Sequence, residues 1–217
     1  MLAADEMVAS LVEELEADGQ LDNTFIFFTS DNGWFQGEHR IPFTKNRPYE
    51  ESVRVPLFVR GPGVTAGMET EKLALSTDLA PTFADLAGAS FPADGRSPKP
   101  LLRSEEPGSW RSSVLLEKLP QEGGDEEGNA KGKAKAKGEE GETGAGGAQV
   151  RSVRTGNHKY VEYGNGDVEH YDLETDPYEL ESLHERADRS LLEDLKAKQD
   201  TLKSCSEEGC REAKDVT

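Results

Sequence analysis

Val8, Leu11, Val12 and Leu15 recur at the i, i+3, i+4, i+7 spacing of one helix face, and Gly19 is placed to end that helix. The next run, Thr24-Phe25-Ile26-Phe27-Phe28-Thr29, is apolar on both faces and predicts a strand buried inside a parallel sheet. Helix followed by such a strand is an α/β pattern. A second short apolar run, Val55 to Arg60, predicts another strand closed by Gly61-Pro62-Gly63. Asp78 is placed to cap a helix carrying Leu79, Phe83 and Leu86 on one face, with Pro81 in its first turn and Gly88 past its end.

The pattern then stops. Residues 121–149 contain no large apolar side chain, so burial cannot offset the entropy of ordering them, and a disordered insertion is expected. Its lysines, Lys131, Lys133, Lys135 and Lys137, are flanked by acids and fit a solvated linker better than a nucleic-acid contact. Beyond it, the segments Val150–Thr155, Lys159–Tyr163 and Val168–Leu173 predict three short strands, with a hairpin turn at Gly164-Asn165-Gly166-Asp167. Leu191, Leu192, Leu195 and Leu202 predict a closing helix, so this part reads as a small antiparallel α+β unit.

Charge narrows the partners. The net charge of −18 argues against nucleic acid, which needs a basic surface. It also disfavours anionic substrates unless local cations gather them. No run of about 18 apolar residues predicts a membrane span. The first ten residues have neither the basic nor the apolar region of a signal peptide.

The strand at Phe25–Phe28 delivers Thr29-Ser30-Asp31-Asn32-Gly33 to its carboxyl end, where open α/β sheets bind ligands. The carboxylate of Asp31 and the amide oxygen of Asn32 are hard oxygen donors suited to Ca²⁺ or Mg²⁺. An Asx turn before Gly33 is the other reading of the same residues. Lys45 is either a surface lysine or a point charge for a tetrahedral anion.

From Thr29 to Val64 the ordered features are Ser-Asp-Asn-Gly, Gly-Glu-His, a lysine four residues before Tyr49-Glu50, then Arg54-Val55-Pro56 and an apolar strand. This order resembles the segment that closes the active site of the sulfatases, in the alkaline-phosphatase-like superfamily. Ser76–Ala89 resembles the family's next helix, and Val153–Leu183 its C-terminal subdomain. The likeness is nearest to the N-acetylglucosamine-6-sulfatase and bacterial arylsulfatase branch. The resemblance implies part of a three-layer αβα sheet in residues 1–120, the insertion over 121–149, and an α+β subdomain over 150–217. It implies that Asp31 and Asn32 are two ligands of a single Ca²⁺, and that Lys45 contacts the sulfate as a catalytic and substrate-binding residue. It also implies that His39 matches a catalytic and substrate-binding histidine that lies near the leaving-group oxygen in some branches of the family; a polar residue shaping the loop is the other reading. Glu38, Arg40 and Arg47 complete the polar set, and Glu50 and Glu51 are candidates to orient Lys45.

The family's nucleophile is a formylglycine made from a C-x-P-S-R type motif, whose hydrate attacks sulfur. No such motif, and no upstream Asp-Asp ligand pair, occurs in these 217 residues. The chain therefore resembles the C-terminal half of a family member, and truncated gene model, gene fragment and natural remnant stay open as explanations. A missing N-terminal half is an expected partner, and no activity is expected of the chain alone. Cys205 and Cys210 resemble a C-terminal disulfide loop of bacterial members, with two free thiols as the other reading; a disulfide there, with the family, would point to a secreted or periplasmic protein. The expected activity is sulfate ester hydrolysis, on an aryl or sugar sulfate. The alternatives are phosphoryl or phosphonate hydrolysis in the same superfamily, and a non-catalytic binding remnant.

Overall fold

The computed structural model describes residues 2–119 and 149–215. The expected insertion over 121–149 therefore lies, except for Gln149, outside the described residues. The chain divides into two compact units: Met1–Ser112 with Cys205–Thr217, and Ser113–Ser204. No helix among the described residues is long and apolar enough to cross a membrane.

The first unit begins with helix α1, Leu2–Ala17. Its covered stripe is Ala4, Val8, Val12 and Leu15, all partly buried, whereas Leu11 is half exposed. Gly19 ends the helix at φ +64°, and the N–H of Gln20 reaches back to the Leu15 carbonyl at 2.8 Å. Strand β1, Ile26–Thr29, then pairs with β2, Leu57–Arg60.

That pairing is antiparallel, with Phe28 opposite Phe58, and so corrects the expected parallel neighbour. An apolar run states that both strand faces favour burial; it does not encode the direction of the partner. The expected burial is corrected too. Phe27 meets Phe83 edge-on at 5.1 Å, on the next helix, whereas Phe28 and Phe58 on the opposite face are 40% and 66% exposed. Alternation puts neighbouring phenylalanines on opposite faces, and only one face is covered among the described residues.

Helix α2 is the single turn Glu50–Val53, and α3 is Leu79–Leu86. Thr82 is the fully buried residue of α3, and Gly88 closes it at φ +75° with the Ala89 N–H on the Ala84 carbonyl at 2.8 Å. Asp78 precedes α3 as expected, but its carboxylate does not cap it. It accepts instead from the N–H groups of Leu75 (2.8 Å) and Arg96 (2.9 Å) and forms a two-pronged pair with buried Arg111. A guanidinium brought by the tertiary fold outcompetes the helix N–H groups, since a two-pronged pair between two ionised groups outweighs a single cap in which only the carboxylate is charged. Helix α4, Lys99–Leu102, adds Leu101 and Leu102 to the core. Helix α6, Glu207–Asp215, returns to this unit, where Arg211 donates to the Ala93 carbonyl and Cys205 is bonded to Cys210.

The second unit is a four-stranded antiparallel sheet in the order β3-β4-β5-β6, with helix α5 packed on it. The strands are Ser113–Lys118, Val150–Thr155, His158–Tyr163 and Val168–Asp172, and α5 is Arg189–Leu202. Three strands and the helix are where the periodicity placed them. Strand β3 carried no sequence signal, because Val-Leu-Leu-Glu-Lys does not alternate; its partner β4 defines it. The turn after β5 forms as expected, with Gly166 at φ +93° and the Tyr163 N–H on the Asp167 carbonyl at 2.9 Å. Asp188 caps α5 through the Ser190 N–H at 2.8 Å. Lys159 and Glu179 form a fully buried ion pair at 2.8 Å.

Candidate functional site

The end of β1 is a local knot of hydrogen bonds. Asp31 Oδ1 accepts from the Asn32 N–H at 3.0 Å, the Ser30 hydroxyl donates to the Asn32 carbonyl at 2.8 Å, and the Asn32 amide donates to the Gly33 carbonyl at 2.8 Å. Asp31 is exposed and Asn32 half-buried. Gly33 follows because nothing larger fits. A β-carbon there would lie 2.0 Å from the Glu51 carbonyl oxygen, and the Gly33 N–H donates to the Ser52 carbonyl at 2.9 Å. The end of β1 is thus pressed against the backbone of α2.

The loop between β1 and α2 is tied at its base. Phe35 is fully buried, and its N–H donates to the Thr44 carbonyl at 2.9 Å. The buried Ser52 hydroxyl accepts from the N–H groups of Asn46 (3.1 Å) and Arg47 (3.4 Å). This fixes the segment carrying Lys45, whose ammonium donates to Asn32 Oδ1 at 2.8 Å. Two of the predicted site residues, thirteen apart in sequence, are therefore in direct contact.

His39 is held by different groups. Its ring stacks on Tyr49 with centroids 4.2 Å apart and planes 12° apart, and it meets Phe35 edge-on at 6.1 Å. Its Nε2 lies 3.3 Å from Glu51 Oε2, and both side chains are largely buried. Glu51 therefore holds His39, not Lys45, which corrects the role expected for that carboxylate. The side chain of Glu51 reaches the His39 ring while its backbone abuts Gly33, so one residue joins the two clusters. Glu38 beside it is exposed, and hydrogen bonds first from the Gln36 N–H and then from its own N–H hold its carboxyl below the usual range.

Tyr49 entered the sequence reading only as part of a motif, and Phe35 and Ser52 were given no role in it. The ring contacts of Tyr49 and Phe35 with His39 accompany left-handed backbone at His39 and Arg40, φ 53° and 57°, which no hydrophobic period signals.

Asp31 and Asn32 offer hard oxygens, which suits Ca²⁺. Among the described residues no group of three or more His, Cys, Asp or Glu side chains is assembled to hold a metal ion. The Lys45 ammonium meets the Asn32 amide oxygen directly.

Comparison with known proteins bears on this arrangement. The Sulfatase family model matches residues 1–89. N-acetylglucosamine-6-sulfatase of Bos taurus is 42% identical over 120 residues, covering 54% of this chain and 21% of that protein. An extracellular sulfatase SULF-1 homolog of Drosophila melanogaster is 41% identical over 120 residues, covering 53% of this chain and 11% of its own. Among solved structures, BT4656 in complex with its substrate D-glucosamine-2-N,6-O-disulfate superposes with a TM-score of 0.76 at 31% identity, over 93% of this chain and 38% of that one. The phosphonate monoester hydrolase of Agrobacterium radiobacter superposes at 0.74 with 25% identity, over 92% and 39%. The chain thus spans about a fifth of the mammalian relative it matches.

Proposed function

We propose, for a chain that belongs to the sulfatase family of the alkaline-phosphatase-like superfamily, that it takes part in hydrolysing sulfate esters, with amino-sugar sulfates as the substrate class. The observation that carries this reading is the contact of Lys45 Nζ with Asn32 Oδ1 at 2.8 Å, beside Asp31 at the mouth of β1. An ammonium has three donors; one holds Asn32 and two are left for a sulfate oxygen. Asp31 and Asn32 would hold Ca²⁺ together with oxygens outside these residues, and its charge, when bound, would stabilise negative charge on the sulfate. The oxygen nucleophile would be a formylglycine hydrate supplied from sequence beyond this chain, since Cys205 and Cys210 are bonded to each other. Residues 1–120 would contribute the catalytic portion and 150–217 the C-terminal subdomain.

Sulfate is favoured over phosphonate because identity to BT4656, bound to a glucosamine disulfate, is 31% over 93% of this chain, against 25% over 92% for the phosphonate hydrolase. The disulfide and the extracellular relative support a secreted or periplasmic location.

The test is a fusion. The 217 residues replace the matching C-terminal segment of bovine N-acetylglucosamine-6-sulfatase, in a host that matures sulfatases. Sulfate released from N-acetylglucosamine 6-sulfate is measured with and without a calcium chelator. Calcium-dependent release that falls in Lys45→Ala supports the reading. A folded, calcium-binding fusion that releases no sulfate, or that cleaves a phosphonate ester faster, overturns it.

A further inference from the structure

Lys45 lies between two ties to the rest of the first unit. Before it, the Thr44 carbonyl accepts the Phe35 N–H at 2.9 Å. After it, the Asn46 and Arg47 N–H groups donate to the Ser52 hydroxyl oxygen at 3.1 and 3.4 Å. Asn46 has left-handed backbone, φ 67°, which a non-glycine residue keeps only where surrounding contacts hold it. Ser52 is 4% exposed, and its own N–H is bonded to the Tyr49 carbonyl at 2.9 Å. The group that holds the Asn46 turn is therefore itself held. Ser52 also grips the other side of the site, because its carbonyl accepts the Gly33 N–H at 2.9 Å, one residue beyond Asn32. A single buried residue thus binds both segments whose side chains meet as Lys45 Nζ and Asn32 Oδ1 at 2.8 Å.

We infer that Ser52 is the positioning residue for Lys45: its hydroxyl sets where the ammonium stands relative to Asn32, and so how that ammonium meets a sulfate oxygen. The meeting with sulfate rests on the sulfate-ester reading above. A lysine ammonium is a point charge on a flexible four-carbon stem, so its place depends on where the backbone delivers that stem. The two ends of Ser52 are chemically separable. Its carbonyl belongs to the backbone and is kept in every substitution, so the Asn32 segment stays seated. Its hydroxyl belongs to the side chain, and Ser52→Ala removes the shared acceptor of two N–H groups at a nearly buried position. Asn46 is then no longer held in the left-handed region, and Lys45 turns with its neighbour. Loss of the hydroxyl should therefore damage the anion side of the site and spare the calcium side. A misplacement of about 1 Å at a group that contacts reacting atoms costs about a hundredfold in rate.

Two measurements test this. The first uses the 217-residue chain itself, with no activity required. Brief acetylation at pH 8, read by mass spectrometry, compares Lys45 with exposed Lys72 and with Lys99, whose ammonium is paired with Asp85 at 2.8 Å in the same unit. Ser52→Ala should raise the labelling rate of Lys45 about tenfold relative to Lys72, as hydrogen-bonded restraint is lost. Lys99 should not change. Ser52→Thr keeps the hydroxyl and should label like the wild type. Ser52→Cys fills similar space with a weak acceptor, should label between the two, and serves if Ser52→Ala does not fold. Lys45 labelling unchanged in the alanine and cysteine variants, equally raised in Ser52→Thr, or raised together with Lys99, overturns the proposal. The second measurement uses the fusion. Ser52→Ala should slow sulfate release about ten- to a hundredfold at an unchanged calcium requirement. Ser52→Ala with Lys45→Ala should be no slower than Lys45→Ala alone, because the first acts through the second. Losses that simply add, or a raised calcium requirement, indicate a merely structural Ser52 and overturn the proposal. If Lys45 labels as stated but the wild-type fusion releases no sulfate, the sulfate-ester reading fails and the positioning of Lys45 stands.

Discussion

Replacing Gly33 by alanine probes the joint on which both halves of the site depend. The added methyl would lie 2.0 Å from the Glu51 carbonyl oxygen, 2.9 Å from its carbon and 3.2 Å from the Ser52 carbon. These are backbone atoms, so no flexible side chain can move aside. Restoring an ordinary contact of 3.4 Å requires the two segments to part by about 1.4 Å. Overpacking of this kind costs about 1–3 kcal/mol. The same displacement stretches the Gly33 N–H bond to the Ser52 carbonyl, now 2.9 Å, adding about 0.5–1.5 kcal/mol. The expected loss is therefore about 1.5–4.5 kcal/mol, which lowers the folded-to-unfolded ratio about 10- to 2000-fold. Urea unfolding followed by tryptophan fluorescence measures it, since Trp34 and Trp110 both belong to the first unit. Gly108 is the control, because nothing lies within 4 Å of a β-carbon there. Gly108→Ala should stay within about 0.5 kcal/mol of the wild type. A Gly33→Ala midpoint matching that of Gly108→Ala would refute the reasoning, and with it the account of how α2 is seated on the end of β1.

Asp78→Ala should destabilise the first unit by about 3–5 kcal/mol in the same assay, because it strands the buried Arg111 guanidinium; Asp78→Leu with Arg111→Met should cost less than Asp78→Ala alone. An equal or greater loss in the double variant would show that the charge was not the issue. In the second unit, burial first, and then His158 beside it, hold the His170 pKa down, with Asp172 opposing. The unfolded chain therefore binds a proton at His170 that the folded chain refuses, so this contribution to stability is present above about pH 6.5 and is lost as pH falls below it. Unfolding at pH 7 and pH 5 should show a smaller drop for His170→Gln than for the wild type, and equal drops would contradict this. In the fusion, Asp31→Ala should raise the calcium concentration needed for activity. Lys45→Ala should bind calcium normally and turn over about a hundred- to a thousandfold more slowly. Normal calcium affinity in the first, or full activity in the second, would undo the assignment of these residues.

Local rules of the chain were enough to place most elements. The 3.6-residue period marked α1 and α5, glycines at positive φ ended α1 and α3, and alternation with a Gly-Asn-Gly-Asp turn gave β4, β5 and β6. Asp31 and Asn32 were legible as candidates for a related reason: they are hard-oxygen types next to a strand end, whereas Lys45, sixteen residues beyond that end, was singled out only by a motif order that resembles the sulfatases. What the tertiary structure decided was partnership. Strand direction was not legible, because an apolar run is the same whichever way its neighbour runs; β2 made β1 antiparallel. Strand β3 needed β4 to define it. Asp78 was read as a helix cap because its neighbours in sequence are a helix, and it turned to Arg111 because a buried guanidinium thirty-three residues away satisfies a carboxylate better. Glu51 was read with Lys45 for the same local reason, and the left-handed turn at His39 and Arg40 gave it to His39 instead. Hydrophobic period and turn chemistry act over a few residues, whereas the choice of partner for a charged group is settled by which groups the folded backbone brings within about 3 Å of it.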